Sequence, residues 1–471
     1  MSTPGATGEL NANDLGYVFK ADFPTPETIV KAYDDADLNR AIQAYRFFYP
    51  TVSGLAMFKG NAALGLVGNQ TFGYLDTKPR HVIFTANSDT PYGPILLDLR
   101  GGPMTIELPA GPLIVVAIDV NQRWVADMGL PGPDAGRGGK HVLMPPSHNR
   151  PPPVGYYVWR ASSNRLLVAV RSLPVGGDLK AALERIQTVK VRPLDPPAGW
   201  TEPKWLNLTE GSQDMTPVRW ETNLRFWEVL HEGIDSEPPY EPYRNQYGEL
   251  AALGLAKGKP FAPDARMRGI LERAALIANA QMRVESFADR RPDRIVWADR
   301  KWEWAALRFE DGNFNTPAYA DLVARDKWFF QAVAASPAMF RRSSGAGSLY
   351  WLGLRDDAGA YLDGSQSYRL RLPLPVPGKL FWSVTVYDAE TRSEIQTDQG
   401  RAALRSLFEL RDMTGSAEAE LTFGPRAPAD REWRWIKTIP GKGWFAYFRI
   451  YGPEQPAFDG SWKPSDFELL K

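Results

Sequence analysis

Two stretches near the C-terminus constrain the fold most. From Leu380 to Tyr387 the side chains alternate, with Leu380, Trp382, Val384 and Val386 on one face and Phe381, Ser383, Thr385 and Tyr387 on the other. Trp444 to Tyr451 repeats the pattern and places Arg449 and Tyr451 on one face with Phe445 and Tyr447. A period of two belongs to a strand, because successive side chains of an extended backbone point to opposite sides. With Tyr368–Leu372 and Glu418–Phe423 as further strands, the chain beyond Ser343 reads as an all-β domain of jelly-roll type.

The remainder of the 471 residues divides by texture, and a chain of this length suggests about three domains. Residues 1–24 read as a flexible tail. Thr25-Pro26-Glu27 is a helix start, with a capping hydroxyl, proline at the first helical position and an acid in the first turn. A second helix follows from near Asp37, and Pro50 interrupts it. Short β segments come next: His81–Phe84, Ile95–Leu99, Leu113–Ile118, Tyr156–Trp159 and Leu166–Val170, separated by Gly, Pro and Asn, as in an antiparallel sandwich. The run between Trp124 and Pro153 is rich in Gly and Pro and reads as a long loop without regular structure. A short helix at Leu179–Gln187 precedes a Pro-rich linker. Val218–Phe340 is helical in pattern, most clearly from Ala265, where Ile270, Leu271, Ala274, Ala278 and Met282 mark one face and Asp264 is the candidate cap. The Trp-rich stretch Trp297–Phe309 reads as helix packing rather than as a ligand box. The boundaries are 1–24, 25–200, 201–342 and 343–471.

Charge excludes some partners. Lys plus Arg and Asp plus Glu are 55 each, so nothing global draws the chain to nucleic acid or an anionic membrane. Cysteine is absent, which removes disulfides, thiol catalysis and thiolate metal sites. No apolar stretch is long enough for a transmembrane segment. The polar start has no signal-peptide pattern, so the chain as written reads as cytoplasmic.

Catalytic signatures are sparse. The run Gly136–His141 fails the phosphate-loop pattern, because Asp134 stands at the first Gly position and His141 replaces Ser or Thr. Four polar clusters remain. Asn87-Ser88-Asp89-Thr90-Pro91-Tyr92 is turn chemistry in one reading. In the other, Asn87, Asp89 and Tyr92 bind substrate. Asp127 to His141 is a packed surface loop bracing another subunit in one reading; in the other it offers Asp127 and His141 as an acid–base pair and Lys140 as a cation on one mobile loop. Tyr387-Asp388-Ala389-Glu390-Thr391-Arg392 offers a turn ion pair, or else Asp388 for catalysis with Tyr387 and Arg392 for binding. Arg449, beside Tyr451, needs a carboxylate or a ligand anion if its face is buried, and Asp388 and Asp398 are protein candidates. Together these residues describe a hydrolase or lyase. It would act on a small polar or anionic compound between the β domains, by carboxylate or histidine chemistry with an oxygen-ligated divalent metal as a possible cofactor. The alternative is a non-catalytic saccharide-binding or envelope assembly protein, and a homo-oligomer is expected in either case.

In this order the clusters resemble a bacterial family that pairs two domains of unknown function, 1254 and 1214. The resemblance rests on AYRFFYP, ANSDTPYGP and DMGLPGPDAGRGGKHVLMPP, then GLAKGKPFAPDAR. It is strongest in LDGSQSYRLRLP, FWSVTVYDAETRSEIQTDQGR and KTIPGKGWFAYFRIYGPEQPAFDGSWKPSDFE. This chain has Ser88 where a second Asn is common, and Arg434-Trp435 where Asn-Trp is common. The resemblance implies an immunoglobulin-like β-sandwich first, a helical segment second and a jelly-roll third, and many relatives look like exported or envelope proteins.

Overall fold

The computed structural model describes residues 11–470 apart from 213, 215, 217–218, 306–312, 341–343, 346, 414 and 430–431. Residues 1–10 of the expected tail and 306–309 of the Trp-rich stretch lie outside the described residues. Residues 11–24 carry a capped turn at Ala12–Leu15 and a two-strand hairpin, Phe19–Lys20 with Phe23–Pro24. Among the described residues, strands outnumber α-helices 21 to 7, so the chain is mainly β.

Helix α1 (Pro26–Ala63) starts where expected, with the Thr25 hydroxyl accepting the Thr28 amide. It does not stop at Pro50, and the expected pair of helices is one helix of 38 residues. An interior proline costs a helix about 3 kcal/mol. Burial offsets that cost, since Phe48, Tyr49, Val52 and Leu55 are at most 3% exposed and each buried side chain of this size returns roughly 1.5–3 kcal/mol. The Gln122 amide also donates to the Pro50 carbonyl. Helix α2 (Leu179–Gln187) packs on the strands Arg165–Ser172 and Tyr92–Asp98, whereas α1 packs against α3 (Arg225–Ser236), α4 (Arg244–Ala252), α5 (Ala265–Phe287) and α6 (Leu322–Gln331), and this is the helical middle of the molecule. The Asp264 carboxylate caps α5 as its sequence predicts. The Trp-rich stretch does not pack on helices as expected: Trp304 lies in a strand paired with Ser348–Gly353, the buried Trp302 meets Phe448 and Phe467, and the Trp297 ring packs on Trp351.

On the N-terminal side an antiparallel sheet runs in the order Tyr92–Asp98, Arg165–Ser172, Leu113–Asp119, Trp124–Gly129. A second sheet runs Lys190–Pro193, Met104–Leu108, Gly139–Met144, Tyr157–Arg160, its last pair parallel. Alternate residues of the two, among them Ile95, Val115, Val168, Ile106 and Leu143, form one core. Two expectations fail here. The Gly- and Pro-rich run is not a loop throughout, since it holds strands Trp124–Gly129 and Gly139–Met144. The apolar run Val142-Leu143-Met144 is fully buried, and its glycines serve the turn between the strands. Gly129 sits at φ +75°, and a Cβ there would lie 2.3 Å from the Leu113 carbonyl oxygen. The second failure is His81–Phe84, which forms no strand beyond one bridge from Val82 to Asp214, because Phe84 turns inward and is buried.

On the C-terminal side one sheet runs Glu303–Trp304, Ser348–Gly353, Trp444–Pro453, Gly378–Asp388, Ala403–Arg405. The other runs Trp435–Lys437, Glu418–Gly424, Ser367–Pro373, Glu468–Leu470. Trp382, Val384, Val386, Phe448 and Ile450 are buried in the core that also takes Leu370, Leu421 and Phe423. The opposite face of the first sheet, with Ser383, Thr385, Tyr447, Arg449 and Tyr451, turns toward the N-terminal sandwich.

Candidate functional site

The strand register builds the site. Across the first N-terminal sheet, Arg171 pairs with Tyr92 on one side and Ile114 on the other. The next row on that face is Pro94, Ala169, Val116 and Asp127. Across the first C-terminal sheet, Tyr451 stands between Ser348 and Phe381, and Arg449 between Tyr350 and Ser383. These two faces enclose a cavity of about 570 Å3, closed by residues of Ile83–Asn87 and by Trp328 and Ala332–Ala334. Most of its wall is apolar: Leu75, Ile83, Phe84, Ile114, Val116, Ile118, Leu167, Val333 and Met339. Lys379, which is exposed, lines it beside Gly345, Leu380 and Gly452.

The polar end is built by Arg171, Arg449, Asn87 and Tyr451. Arg171 donates from Nε to the Thr90 hydroxyl and from Nη2 to the Tyr451 hydroxyl, each at 2.9 Å. Arg449 is 3% exposed. It donates to the Tyr387 hydroxyl (2.6 Å) and the Thr85 carbonyl (2.9 Å), while its Nε has no partner among the described residues. Neither guanidinium has a carboxylate within 4.0 Å among the described residues. Arginine cannot shed its charge, so two cations are held at one end of an apolar chamber without direct counter-ions. Asp89 stands behind them, its carboxylate accepting from Ser383 at 2.7 Å. Burial pushes its carboxyl above the usual aspartate range, against the pull of Arg449.

The Asn87–Tyr92 motif does more than line the cavity. The Asn87 amide donates to Tyr451, Ser88 donates to Glu394 (2.5 Å), the Ala86 carbonyl accepts from Tyr387, and the Ser88 carbonyl accepts from Arg405 (2.6 Å). The segment thus plugs the N-terminal half into the polar face of the C-terminal sheet. Its internal turn bond, Asp89 amide to Asn87 Oδ1 at 2.7 Å, is the turn chemistry read from sequence. Backbone strain gathers nearby: Thr85 and Ala334 line the cavity at φ +41° and +60°, and Gln122, at +55°, holds the Ala334 amide. Such conformations cost of order 1–3 kcal/mol each and concentrate at functional sites.

The remaining candidates lie elsewhere. Asp127 lines the cavity from a strand, whereas His141 is buried in the second sheet. The two therefore share no mobile loop. His141 takes a hydrogen bond from Trp159 on Nδ1 (3.2 Å) and faces Asp134 through Nε2 (3.4 Å). Burial lowers its pKa, against the attraction of Asp134. Lys140 is exposed. Asp388 accepts the Glu390 and Thr391 amides and pairs with Lys442 at 3.1 Å. Asp398 pairs with Lys437, so neither aspartate serves Arg449. Arg392 makes no ion pair with Asp388. Its guanidinium bonds Glu221, Tyr49, the Phe330 carbonyl and the Glu390 carbonyl. Among the described residues no three His, Asp or Glu side chains are grouped to hold a metal ion.

Sequence reasoning passed over Arg171, Tyr350, Ser383 and Glu394. The signal for Arg171 was present: a strand apolar at every position from Leu166 to Val170 meets an arginine in the face of Leu167 and Ala169. Glu394 is buried among Ser88, Arg449, Arg405 and Asp89, and burial pushes its carboxyl up to about 7 against the Ser88 hydrogen bond and both arginines. A carboxyl with a raised folded-state pKa contributes stability that is complete below its unfolded value and fades as pH rises through the folded value. Glu394→Gln should therefore gain on wild type as pH rises from about 4.5 to about 7, by an amount on the order of 3 kcal/mol, and run parallel above that. Denaturant midpoints of both proteins across this range check it, and a constant difference would show that Glu394 does not titrate there.

Both halves of this geometry fall within matched segments. A family model described as a protein of unknown function, DUF1254, matches residues 70–193, and a second, DUF1214, matches residues 347–455. Among solved structures, the VPA0106 protein from Vibrio parahaemolyticus is similar at 17% identity and a TM-score of 0.58, covering 92% of this chain and 100% of that one. An uncharacterized protein from Burkholderia cenocepacia is similar at 13% identity and a TM-score of 0.41, covering 94% and 96%. No curated protein matches the chain.

Proposed function

The chain belongs to the bacterial family that joins the domains of unknown function 1254 and 1214, and we propose that it binds a small organic anion with an apolar body in the cavity between those two halves. In this reading the sandwiches are immunoglobulin-like and jelly-roll scaffolds that each supply one wall. The observation that carries it is the pair Arg171 and Arg449, two obligate cations without a carboxylate within 4.0 Å among the described residues, at the end of a chamber otherwise lined by aliphatic and aromatic side chains. Removing a guanidinium from water costs several kcal/mol unless an anion meets it. A ligand anion supplies that partner, and its apolar remainder gains roughly 25 cal/mol for each Å2 it buries. Lys379 on the exposed side adds a positive field that steers anions in. The cavity has room for on the order of twenty non-hydrogen atoms, taking ~30 Å3 for each as for a water molecule.

A hydrolase or lyase needs an acid–base pair at the ligand. Of Asp127, His141 and Asp388 only Asp127 lines the cavity, so binding is the reading that the geometry favours. Thermal shift with chain-matched decanoate, decanol and decylamine tests it. Decanoate should raise the melting temperature most, because only a ligand that prefers the native state stabilises it, by about 2.7 kcal/mol at one hundred times Kd. Decylamine or decanol matching decanoate would sink the proposal.

A further inference from the structure

The hydrogen-bond inventory at the polar end narrows the ligand class, on the premise of the binding reading above. A tyrosine hydroxyl accepts at most two hydrogen bonds and donates one. The Tyr451 oxygen already accepts from Arg171 Nη2 and from Asn87 Nδ2. The Asn87 amide cannot be turned round, because its Oδ1 is taken by the Asp89 amide. The Tyr451 proton is therefore the one bond left to it, and no described residue accepts it. Burial pushes this phenol well above its ordinary pKa of 10.0, so the proton stays in place. Arg171 Nη1 likewise donates to no described residue, and Arg449 Nε is buried and unpartnered. At this end the unused hydrogen-bonding atoms of Tyr451, Arg171 and Arg449 are all donors. The two guanidinium charges stand near Asp89 and Glu394, whose carboxyls burial pushes above their usual ranges, and Asp127 lines the cavity one row along, so the positive charge left to be met is well under two units.

We infer that the head group bound here is a single carboxylate, held between the Tyr451 hydroxyl and Arg171 Nη1 with Arg449 behind, and that Tyr451 is the residue selecting it over neutral and dianionic heads. A carboxylate is acceptor-only, has two oxygens for two donors and carries one charge. An alcohol brings less charge and a proton of its own. A phosphate monoester carries about −1.5 to −2 at pH 7 and a third group of oxygens that this end does not serve.

Calorimetric titration of the full chain at neutral pH with decanoate, decanol and decyl phosphate tests the inference, on wild type and on Tyr451→Phe. Wild type should bind decanoate tightest of the three. Tyr451→Phe, which keeps the ring, should lose roughly 10- to 100-fold for decanoate, the worth of a hydrogen bond to a charged acceptor, and bind decanol as wild type does. Decyl phosphate binding wild type more tightly than decanoate, or an undiminished decanoate affinity in a folded Tyr451→Phe protein, overturns the inference and leaves the anion-binding reading standing. Failure of wild type to bind either anion overturns both. The wild-type series needs no substitution, so it decides even if the variant does not fold.

Discussion

Replacing Arg392 with methionine is expected to cost the folded chain about 3–5 kcal/mol, the usual price of stranding one member of a buried ion pair. Arg392 has no exposed surface and Glu221 is 3% exposed. Their contact joins the C-terminal half to the segment before α3, and through Tyr49, which bonds Glu221, to the middle of α1. The guanidinium also stacks over Phe84 and Phe330, at 4.5 and 4.3 Å from the ring centres. Without it the Glu221 carboxylate stays buried with only Tyr49 to donate, and the carbonyls of Phe330 and Glu390 lose a donor. Lys31→Ala is the control. Its pair with Asp35 is 40% exposed on each side, and exposed pairs contribute about 0–1 kcal/mol. Denaturant midpoints for the three proteins should separate Arg392→Met widely from the other two. A small, equal effect for both substitutions would mean that the Glu221–Arg392 contact does not tie the two halves together.

Arg171→Met should do the opposite: about 100-fold weaker binding of decanoate, with stability unchanged or raised. Truncating one partner of a desolvated charge pair typically removes 2–5 kcal/mol of binding energy. In the absence of ligand, Arg171 is a charge held in an apolar wall without a carboxylate partner, a cost that methionine relieves at similar volume. Gains in stability that remove function are the expected signature of a binding residue. Calorimetry and denaturation on the same protein read both quantities. A loss of several kcal/mol of stability with unchanged affinity would assign Arg171 to structure.

The parts of the fold that could be read from sequence are those where one pattern decides. Alternation placed Arg449 and Tyr451 on a common face and raised the question of an anion, and the cap residues Thr25 and Asp264 marked the helix starts. The misses have physical causes. Pro50 lies in a helix whose burial outweighs the proline penalty. Gly129, Gly136 and Gly138 read as loop, yet they occupy the positive-φ turn positions beside two buried strands. Asp127 and His141 are neighbours in sequence, but the strand Trp124–Gly129 lies in one sheet and Gly139–Met144 in the other, so their side chains part. Arg392 and Asp388 are likewise close in sequence, and a partner from a distant segment, Glu221, takes the guanidinium. Local spacing cannot show which of two acids a buried arginine will meet. Nor could it show that Arg171 and Arg449, which belong to different sandwiches, look into one chamber.

In the proposed binding mode the chamber walled by both domains holds an organic anion by its head at Arg171 and by its apolar body along Ile114, Val116 and Leu167. Anomalous diffraction from crystals soaked with an ω-bromoalkanoate tests it most directly. The expected result is a bromine peak inside the chamber away from Arg171, with carboxylate density between Tyr451 and that guanidinium. A bromine peak only outside the chamber, or the head group lying against the aliphatic wall with both arginines untouched, would contradict it.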